Sequence, residues 1–138
     1  PNVADAVLSA GPEAVHTSTF LGNPLACAAG LAVLGELDRL DFASLAARIG
    51  SRVRARAEVW RERFSVVSDV RGAGAMIGVE LGRGATRVVE KALSRGVVLL
   101  TEGPEGNVLA FTPPLVIPAT DLARALGIVE DCIAEVAS

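Results

Sequence analysis

Histidine, cysteine and lysine are scarce in this chain of 138 residues, and their scarcity excludes several kinds of active site. His16 is the only histidine, and no Ser-His-Asp or Cys-His group can be assembled around it from the sequence, so we interpret it as a structural or surface residue. Cys27 and Cys132 are the only cysteines, and no close Cys/His pair predicts a metal site. We interpret both as buried free thiols of a cytoplasmic protein, with a disulfide as the alternative.

The chain also lacks an excess of positive charge and any long apolar run. Its formal net charge of −3 gives no reason to expect a nucleic acid or an anionic membrane surface as a partner. No stretch reaches the length of a membrane span, and no signal peptide opens the sequence. Hydrophobic residues make up 51% of the chain, which predicts one domain with a real core and apolar surface for a partner to cover.

Hydrophobic periodicity and turn residues predict eight elements in the order helix, helix, strand, strand, helix, strand, strand, helix. The predicted bounds are 25–40, 42–64, 66–70, 75–81, 85–95, 97–100, 108–111 and a last helix from Thr120, with a short extended piece at 115–117. This order predicts an α+β fold, in which a small, mostly antiparallel sheet has helices on one face.

The first and second helices carry different surfaces. The first is apolar nearly all round, so we expect it to be buried on most sides, with Gly30 and Gly35 marking close packing against another element. The second has one apolar stripe and an arginine-rich remainder. Those arginines are interpreted either as a basic binding face or as a solvated surface balanced by Glu58 and Glu62, and the acidic net charge favours the solvated surface.

Residues 71–74 superficially resemble a dinucleotide-binding loop, because they read Arg-Gly-Ala-Gly. However, Ile77 stands in the place of the third glycine, and the segment joins strand to strand. The phosphate-binding fingerprint requires a strand, a turn and a helix. We therefore predict a hairpin in which glycine supplies a positive φ or a close backbone approach.

The segment before the first helix is the strongest candidate binding site. Thr17, Ser18 and Thr19 place three hydroxyls in a short polar turn, and Asn23 followed by Pro24 is a good helix start. Hydroxyls and amide N–H groups at the entrance to a rigid helix suit an anion such as phosphate. The alternative is a turn whose hydroxyls bond to their own backbone.

Three collinear stretches resemble the class III aminotransferases, the pyridoxal-phosphate enzymes that include acetylornithine and 4-aminobutyrate aminotransferases. Residues 16–29 contain the family's Thr-Phe-x-Gly-Asn-Pro core, and residues 70–81 and 107–117 agree in order and spacing. The resemblance covers nearly the whole chain but only the last part of the family's length. It implies the end of the large cofactor-binding domain for residues 1–30, and the small C-terminal domain of fold type I transferases for residues 31–138.

The resemblance also implies pyridoxal 5'-phosphate as the cofactor, with Ser18 and Thr19 binding its phosphate across a dimer. The lysine that holds the cofactor in the family lies upstream of this turn and is not in the chain, and Lys91 is interpreted as a surface residue. No catalytic residue is therefore assigned, and the chain alone is expected to be inactive. Ala110 stands where many members carry an arginine that binds a substrate carboxylate, which puts an ordinary amino acid donor in doubt.

The predicted function is therefore that of the C-terminal portion of an aminotransferase, which moves an amino group between an amine or amino acid and a 2-oxo acid. Its expected partners are these small molecules and either a second copy or a complementing N-terminal portion. The opening Pro1-Asn-Val, without Met, is typical of a fragment or of one half of a split enzyme. The alternatives are a non-catalytic, aminotransferase-derived partner module and an unrelated small α+β ligand-binding domain.

Overall fold

The computed structural model describes residues 19–137. The chain divides into two compact units, one reaching to Leu40 and the other beginning at Asp41. The described part of the first unit is a turn and helix α1, Pro24–Arg39. The second unit holds α2 (Phe42–Arg63), β1 (Val67–Ala73), β2 (Met76–Leu81), α3 (Ala85–Ser94), β3 (Leu100–Glu102), β4 (Val108–Phe111) and α4 (Ala119–Ala137). The predicted element order is confirmed, whereas the expected domain boundary after residue 30 stays a prediction.

Helix α1 begins as the sequence predicts. The Asn23 side chain accepts a hydrogen bond from the Ala26 N–H at 3.0 Å, and Pro24 is the first helical residue. None of the residues of α1 is buried, which differs from the expected burial on most sides. The physical reason is that the described part of this unit is one helix and one turn, too little surface to enclose a helix.

Three expectations for single residues in α1 change with this exposure. A Cβ added to Gly30 or Gly35 would meet no atom within 4 Å among the described residues, so the expected close packing at these glycines is not found. Cys27 is exposed, which corrects the predicted buried thiol. Cys132 in α4 is buried, as predicted.

Helix α2 supplies one apolar stripe to the core of the second unit. Asp41 caps it, as predicted, by accepting a hydrogen bond from the Ser44 N–H at 3.2 Å. The predicted stripe is buried in the middle and later part of the helix, at Ile49, Val53, Ala57 and Trp60. Phe42 at the start of the stripe is 49% exposed, so the core begins about two turns into the helix.

The arginines of α2 make specific contacts in addition to facing solvent. Arg61 pairs with Glu58 at 2.7 Å on the helix surface, in line with the interpretation of balanced charges. Arg54 instead donates to the main-chain oxygens of Val70 and Gly72, at 3.4 and 2.7 Å. The helix is therefore tied to the neighbouring strand β1 by its polar side as well as by its apolar stripe.

The four strands form one antiparallel sheet in the order β1-β2-β4-β3. One side of the three longer strands faces the core shared with α2, α3 and α4, and its residues are Val67, Val70, Ile77, Val79, Leu81, Leu109 and Phe111. They alternate along β2 and β4, whereas a register shift between Val67 and Asp69 places the two β1 residues three positions apart. The intervening residues lie on the opposite face of the sheet, which we call the free face. This arrangement confirms the predicted α+β fold with helices on one face of a small sheet.

The hairpin between β1 and β2 confirms the interpretation of the glycine-rich segment. Gly72 has a φ of 141° and Gly74 a φ of 51°, both unfavourable for other residues. A Cβ on Gly72 would also lie 2.0 Å from the main-chain oxygen of Met76. The glycines therefore serve the chain reversal, as expected.

Two predicted extended segments differ from the structure: one strand begins later than predicted, and the other segment is a turn. The strand predicted at 97–100 begins only at Leu100, because the Val97 N–H bonds to the Ala92 oxygen at 2.9 Å and closes the end of α3. Leu99 then packs in the core. Residues 115–117 form a turn, in which the Ile117 N–H donates to the Pro114 oxygen at 3.0 Å.

The last two helices, α3 and α4, pack side by side, and their boundaries lie close to the predicted ones. Gly96, with a φ of 83°, follows α3 and ends it, as predicted. Helix α4 begins at Ala119, one residue before the predicted start at Thr120. None of the helices in the described part of the chain is both long and apolar enough to cross a membrane.

Candidate functional site

The predicted phosphate-binding turn is described from Thr19 onward. Thr19 lies in an exposed turn that runs to Gly22, whose φ is 73°. The Asn23 N–H donates to the Phe20 oxygen at 3.1 Å and closes the turn at the start of α1. Ser18 lies outside the described residues, as do Thr17 and His16, so the role given to Ser18 stays a prediction.

The chemistry of this turn fits a phosphate group. The hydroxyl of Thr19 can donate a hydrogen bond to a phosphate oxygen, and the positive end of the α1 dipole lies a few residues further on. The first turn of α1 contains no acidic residue that would repel an anion. Asn23 already accepts a hydrogen bond from one N–H of that turn, and Thr19 is exposed, with a hydroxyl that can donate to an anion.

Lys91, the only lysine of the sequence, is engaged elsewhere in the fold. Its ammonium group lies 2.5 Å from Glu135, and Arg95 lies 2.5 Å from the other oxygen of the same carboxylate. Hydrogen bonds from Arg95 and from Lys91 lower the pKa of Glu135 to about 2. Lys91 therefore ties α3 to α4, in agreement with its interpretation as a surface residue.

The free face of the sheet carries the second candidate site. Arg71, Gly78, Ala110 and Leu100 stand in register across four strands, one residue from each. A depression of about 390 Å³ lies over the β2 and β4 part of this row. Its lining includes Arg71, Met76, Gly78, Glu102, Val108 and Ala110. Because the depression is largely apolar with few polar groups, it resembles a small-molecule site in character.

The one arginine in this depression is held by two carboxylates. Arg71 lies 2.7 Å from Asp69 on its own strand and 2.6 Å from Glu80 on β2. The hydrogen bonds to Asp69 and Glu80 raise the pKa of Arg71 above its usual value. The hydrogen bond from Arg71 in turn lowers the pKa of Asp69. The positive charge of Arg71 is therefore already matched within the sheet.

Glu130 in α4 was not singled out from the sequence, yet it is the only buried charged residue among those described. Its carboxylate accepts a hydrogen bond from the Trp60 indole N–H at 2.8 Å, pairs with Arg56 at 2.7 Å and also contacts Arg63. Burial alone raises the pKa of Glu130, but these partners outweigh burial and lower it. The sequence feature that could have pointed to Glu130 is its position next to the apolar stripe of α4, which includes Leu126 and Val129.

Comparison with known proteins agrees with the fold and the motifs. Residues 2–133 match the family model of the class-III aminotransferases. The chain is 40% identical over 122 residues to the acetylornithine aminotransferase of Caldanaerobacter subterraneus, covering 88% of this chain and 30% of that protein. The chain therefore belongs to the class III aminotransferase family.

Two solved structures carry further information. A phospholyase from Arthrobacter in complex with phosphoethanolamine matches with a TM-score of 0.74 and 33% identity, over 86% of this chain and 31% of its own. An amine transaminase from an uncultivated Pseudomonas species, in its pyridoxal-phosphate-bound form, matches with a TM-score of 0.73 and 29% identity, over 96% of this chain and 33% of its own. The chain thus spans about a third of the length of these relatives.

Proposed function

We propose that this chain forms the C-terminal part of a pyridoxal-phosphate-dependent aminotransferase, which moves an amino group between an amine or amino acid and a 2-oxo acid. The observation that carries the proposal is the family match over residues 2–133, together with the small antiparallel sheet and its helices. A relative solved with pyridoxal phosphate bound supports the choice of cofactor. The chain's share of its relatives' length supports the assignment to part of an enzyme.

Within such an enzyme, the chain's own contribution to cofactor binding is the turn before α1. Thr19, with Ser18 beside it, would donate hydrogen bonds to the cofactor phosphate, which hydroxyls do well when the acceptor is charged. Pyridoxal phosphate supplies the electron sink for amino-group transfer. The lysine that holds the cofactor would come from a part of the enzyme outside this chain, because Lys91 is paired with Glu135.

The assembly that we propose is a dimer in which this turn reaches the phosphate of the partner subunit. The missing portion of the enzyme would be either an upstream segment of the same polypeptide or a separate complementing chain. The exposed apolar side chains of α1 support such an assembly, since Leu25 is 80% and Leu31 is 71% exposed. The proposed location is the cytoplasm.

The test separates this chain from the complete protein. The complete protein should show the visible absorbance of bound pyridoxal phosphate and should release a keto or aldehyde product from an amine donor. Borohydride treatment followed by mass analysis should find the cofactor on a lysine outside this chain. Treated in the same way, the isolated chain should carry no stoichiometric adduct on Lys91.

The results have different meanings for the main proposal and its alternative. A complete protein that folds and dimerises but has no cofactor-binding lysine would support a non-catalytic partner module derived from an aminotransferase. A stoichiometric adduct on Lys91 of the isolated chain would contradict the assignment of Lys91 to a structural ion pair, and with it the proposed division of roles.

A further inference from the structure

Strand β1 forms one edge of the sheet, and its outer side has the form of a surface that pairs with another strand. In the order β1-β2-β4-β3, β1 has a neighbour on only one side among the described strands. It has seven residues, against three in β3 at the opposite edge. A long edge strand offers main-chain N–H and C=O groups to other chains, so folded proteins usually block such edges.

The register of the β1–β2 hairpin determines which main-chain groups of β1 point to the outer side. On β2, the Leu81 N–H donates to the segment that leads into β4, so the main-chain groups of Leu81 point away from β1. Alternate residues share this direction, which includes Val79 and Ile77. Their partners on β1 are Val70 and Gly72. In an antiparallel pair, opposed residues both point toward each other or both away, so Val70 and Gly72 point outward.

Arg54 of helix α2 occupies the outward oxygens of this edge. Its guanidinium donates to the main-chain oxygen of Val70 at 3.4 Å and to that of Gly72 at 2.7 Å. The planar fork of a guanidinium suits two acceptors at once, and Arg54 is half-buried against the sheet. An incoming strand would have to displace Arg54 from both oxygens. The edge is therefore closed by a side chain of its own chain.

The partner that fits this edge is the same edge of a second copy. Two identical antiparallel strands are related by a two-fold axis, and an axis at Arg71 sets Val70 of one copy opposite Gly72 of the other. These are the outward-pointing residues, so the N–H groups of each copy meet the oxygens of the other. The two Arg71 side chains would be opposed, but each is already paired with Asp69 and Glu80 of its own copy.

We propose that the outer edge of β1 is a strand-pairing surface for a second copy of this chain, and that Arg54 keeps this surface closed. Arg54 then acts on association in addition to holding α2 beside the sheet. Loss of its two hydrogen bonds, with the rest of the fold intact, opens the edge and strengthens pairing between copies.

The first experiment compares the full chain with its Arg54→Met variant by sedimentation velocity over a range of concentrations. Methionine keeps an unbranched apolar stem but cannot donate. Arg54→Met should associate at a concentration at least about tenfold lower, a change that two ordinary hydrogen bonds can produce. The matched control is Arg61→Met, because Arg61 lies on the same helix but pairs with Glu58. Association through the exposed side chains of α1 is common to all three proteins and cancels in the comparison.

A second measurement identifies the surface that pairs. Arg71→Cys places a thiol at the proposed axis, where the opposed Cα atoms would be about 4.5 Å apart, a separation that admits a disulfide. Cys27→Ser removes the exposed native thiol, and Cys132 is buried. Under mild oxidation, adding Arg54→Met to this protein should accelerate cross-linking about tenfold, in proportion to the population of dimer. A thiol introduced by Arg61→Cys instead should show no such acceleration.

The proposal is overturned if Arg54→Met has the Trp60 fluorescence of the folded chain and associates no more than the unmodified protein, because Arg54 would then only tie α2 to β1. An equal gain in Arg61→Met, or association without faster cross-linking at position 71, would also overturn it. If Arg54→Met does not fold, Arg54→Lys takes its place, since an ammonium keeps the charge but not the fork. Arg54→Lys should still associate more strongly than the unmodified chain, and no increase would contradict the proposal.

Discussion

Gly50 in helix α2 packs directly against the main chain of Gly74 at the tip of the β1–β2 hairpin. A Cβ on Gly50 would lie only 1.7 Å from the Gly74 oxygen, so the helix and the hairpin meet backbone to backbone. Because the obstacle is backbone and not a flexible side chain, the contact cannot accommodate a methyl group without moving one of the two elements.

Gly50→Ala should destabilise the chain by about 2–3 kcal/mol, since the cost of overpacking exceeds the gain in helix propensity. The measurement is urea unfolding followed by the fluorescence of Trp60, the only tryptophan of the chain. The matched control is Gly127→Ala in α4, where a Cβ would meet no atom within 4 Å among the described residues. That control should stabilise by up to about 1 kcal/mol, and equal effects of the two substitutions would contradict the close contact.

Glu130→Ala should cost about 2–3 kcal/mol, because it leaves the fully buried indole N–H of Trp60 without its acceptor. This loss of stability is smaller than the loss expected on breaking a fully buried ion pair. The reason is that Arg56 and Arg63 are about half exposed, so water can solvate their charges once Glu130 is removed. Glu130→Gln keeps an oxygen for the indole and should cost less. If the two substitutions are equally harmful in urea unfolding, the charge and not the indole hydrogen bond is the dominant contribution.

The Glu135 carboxyl should titrate with a pKa near 2 in the folded chain, against an ordinary value of 4.5, as measured by NMR of its side chain. Because the pKa of Glu135 is lower in the folded chain than in the unfolded chain, its ion pairs stabilise the fold fully only at a pH above the unfolded-state pKa. This contribution is lost as the pH falls from about 4.5 toward 2. Arg95→Gln should move the pKa upward more than Lys91→Gln does, because Arg95 is the stronger influence. An unchanged pKa in both variants would contradict the two contacts.

Thr19→Ala in the complete enzyme should weaken the binding of pyridoxal phosphate by roughly one to two decades, because a hydrogen bond to a charged group is worth about 1.5–3 kcal/mol. Thr19→Ser retains the hydroxyl and should stay close to the unmodified affinity. The residue is exposed in a turn, so thermal unfolding of the apoprotein should change little. A large loss of stability in Thr19→Ala alone would point to a structural role for this side chain.

Mixed dimers test the proposed reach across the subunit boundary. One subunit carries Thr19→Ala, and the other lacks the lysine that holds the cofactor. The site with the intact lysine then belongs to the altered subunit, and Thr19 of the partner subunit would hold its phosphate. This site should keep near-normal cofactor affinity. An affinity as low as in the Thr19→Ala homodimer would place the residue's action within its own subunit.

Local signals in the sequence were sufficient for most of the fold. Asn23 with Pro24, Asp41 and Gly96 mark helix ends by their own chemistry, which depends on few neighbours. The strand predicted from Val97 was wrong in its start, because β-branched residues fit both a strand ladder and an irregular connection, and Val98 is 79% exposed in that connection. The strand begins at Leu100 because hydrogen-bonded pairing with β4 begins at that residue.

The site could be predicted only in part, because its geometry depends on distant pairings. The motif around Thr19 is contiguous and therefore recognisable. Nothing in the sequence places Ala110 beside Gly78, since their contact follows from the register of β2 against β4. The same holds for Glu130 and Trp60, which are 70 residues apart in the sequence and meet only when α4 packs beside α2.

The two cysteines give the chain a built-in probe of assembly. Cys27 is exposed on α1, while Cys132 is buried and its burial raises the pKa of its thiol. A thiol-reactive dye added to the native chain will therefore modify α1 and leave the second unit untouched. As a partner covers α1, the rate of that single reaction should fall, so labelling kinetics report the occupancy of the helix without any engineered residue.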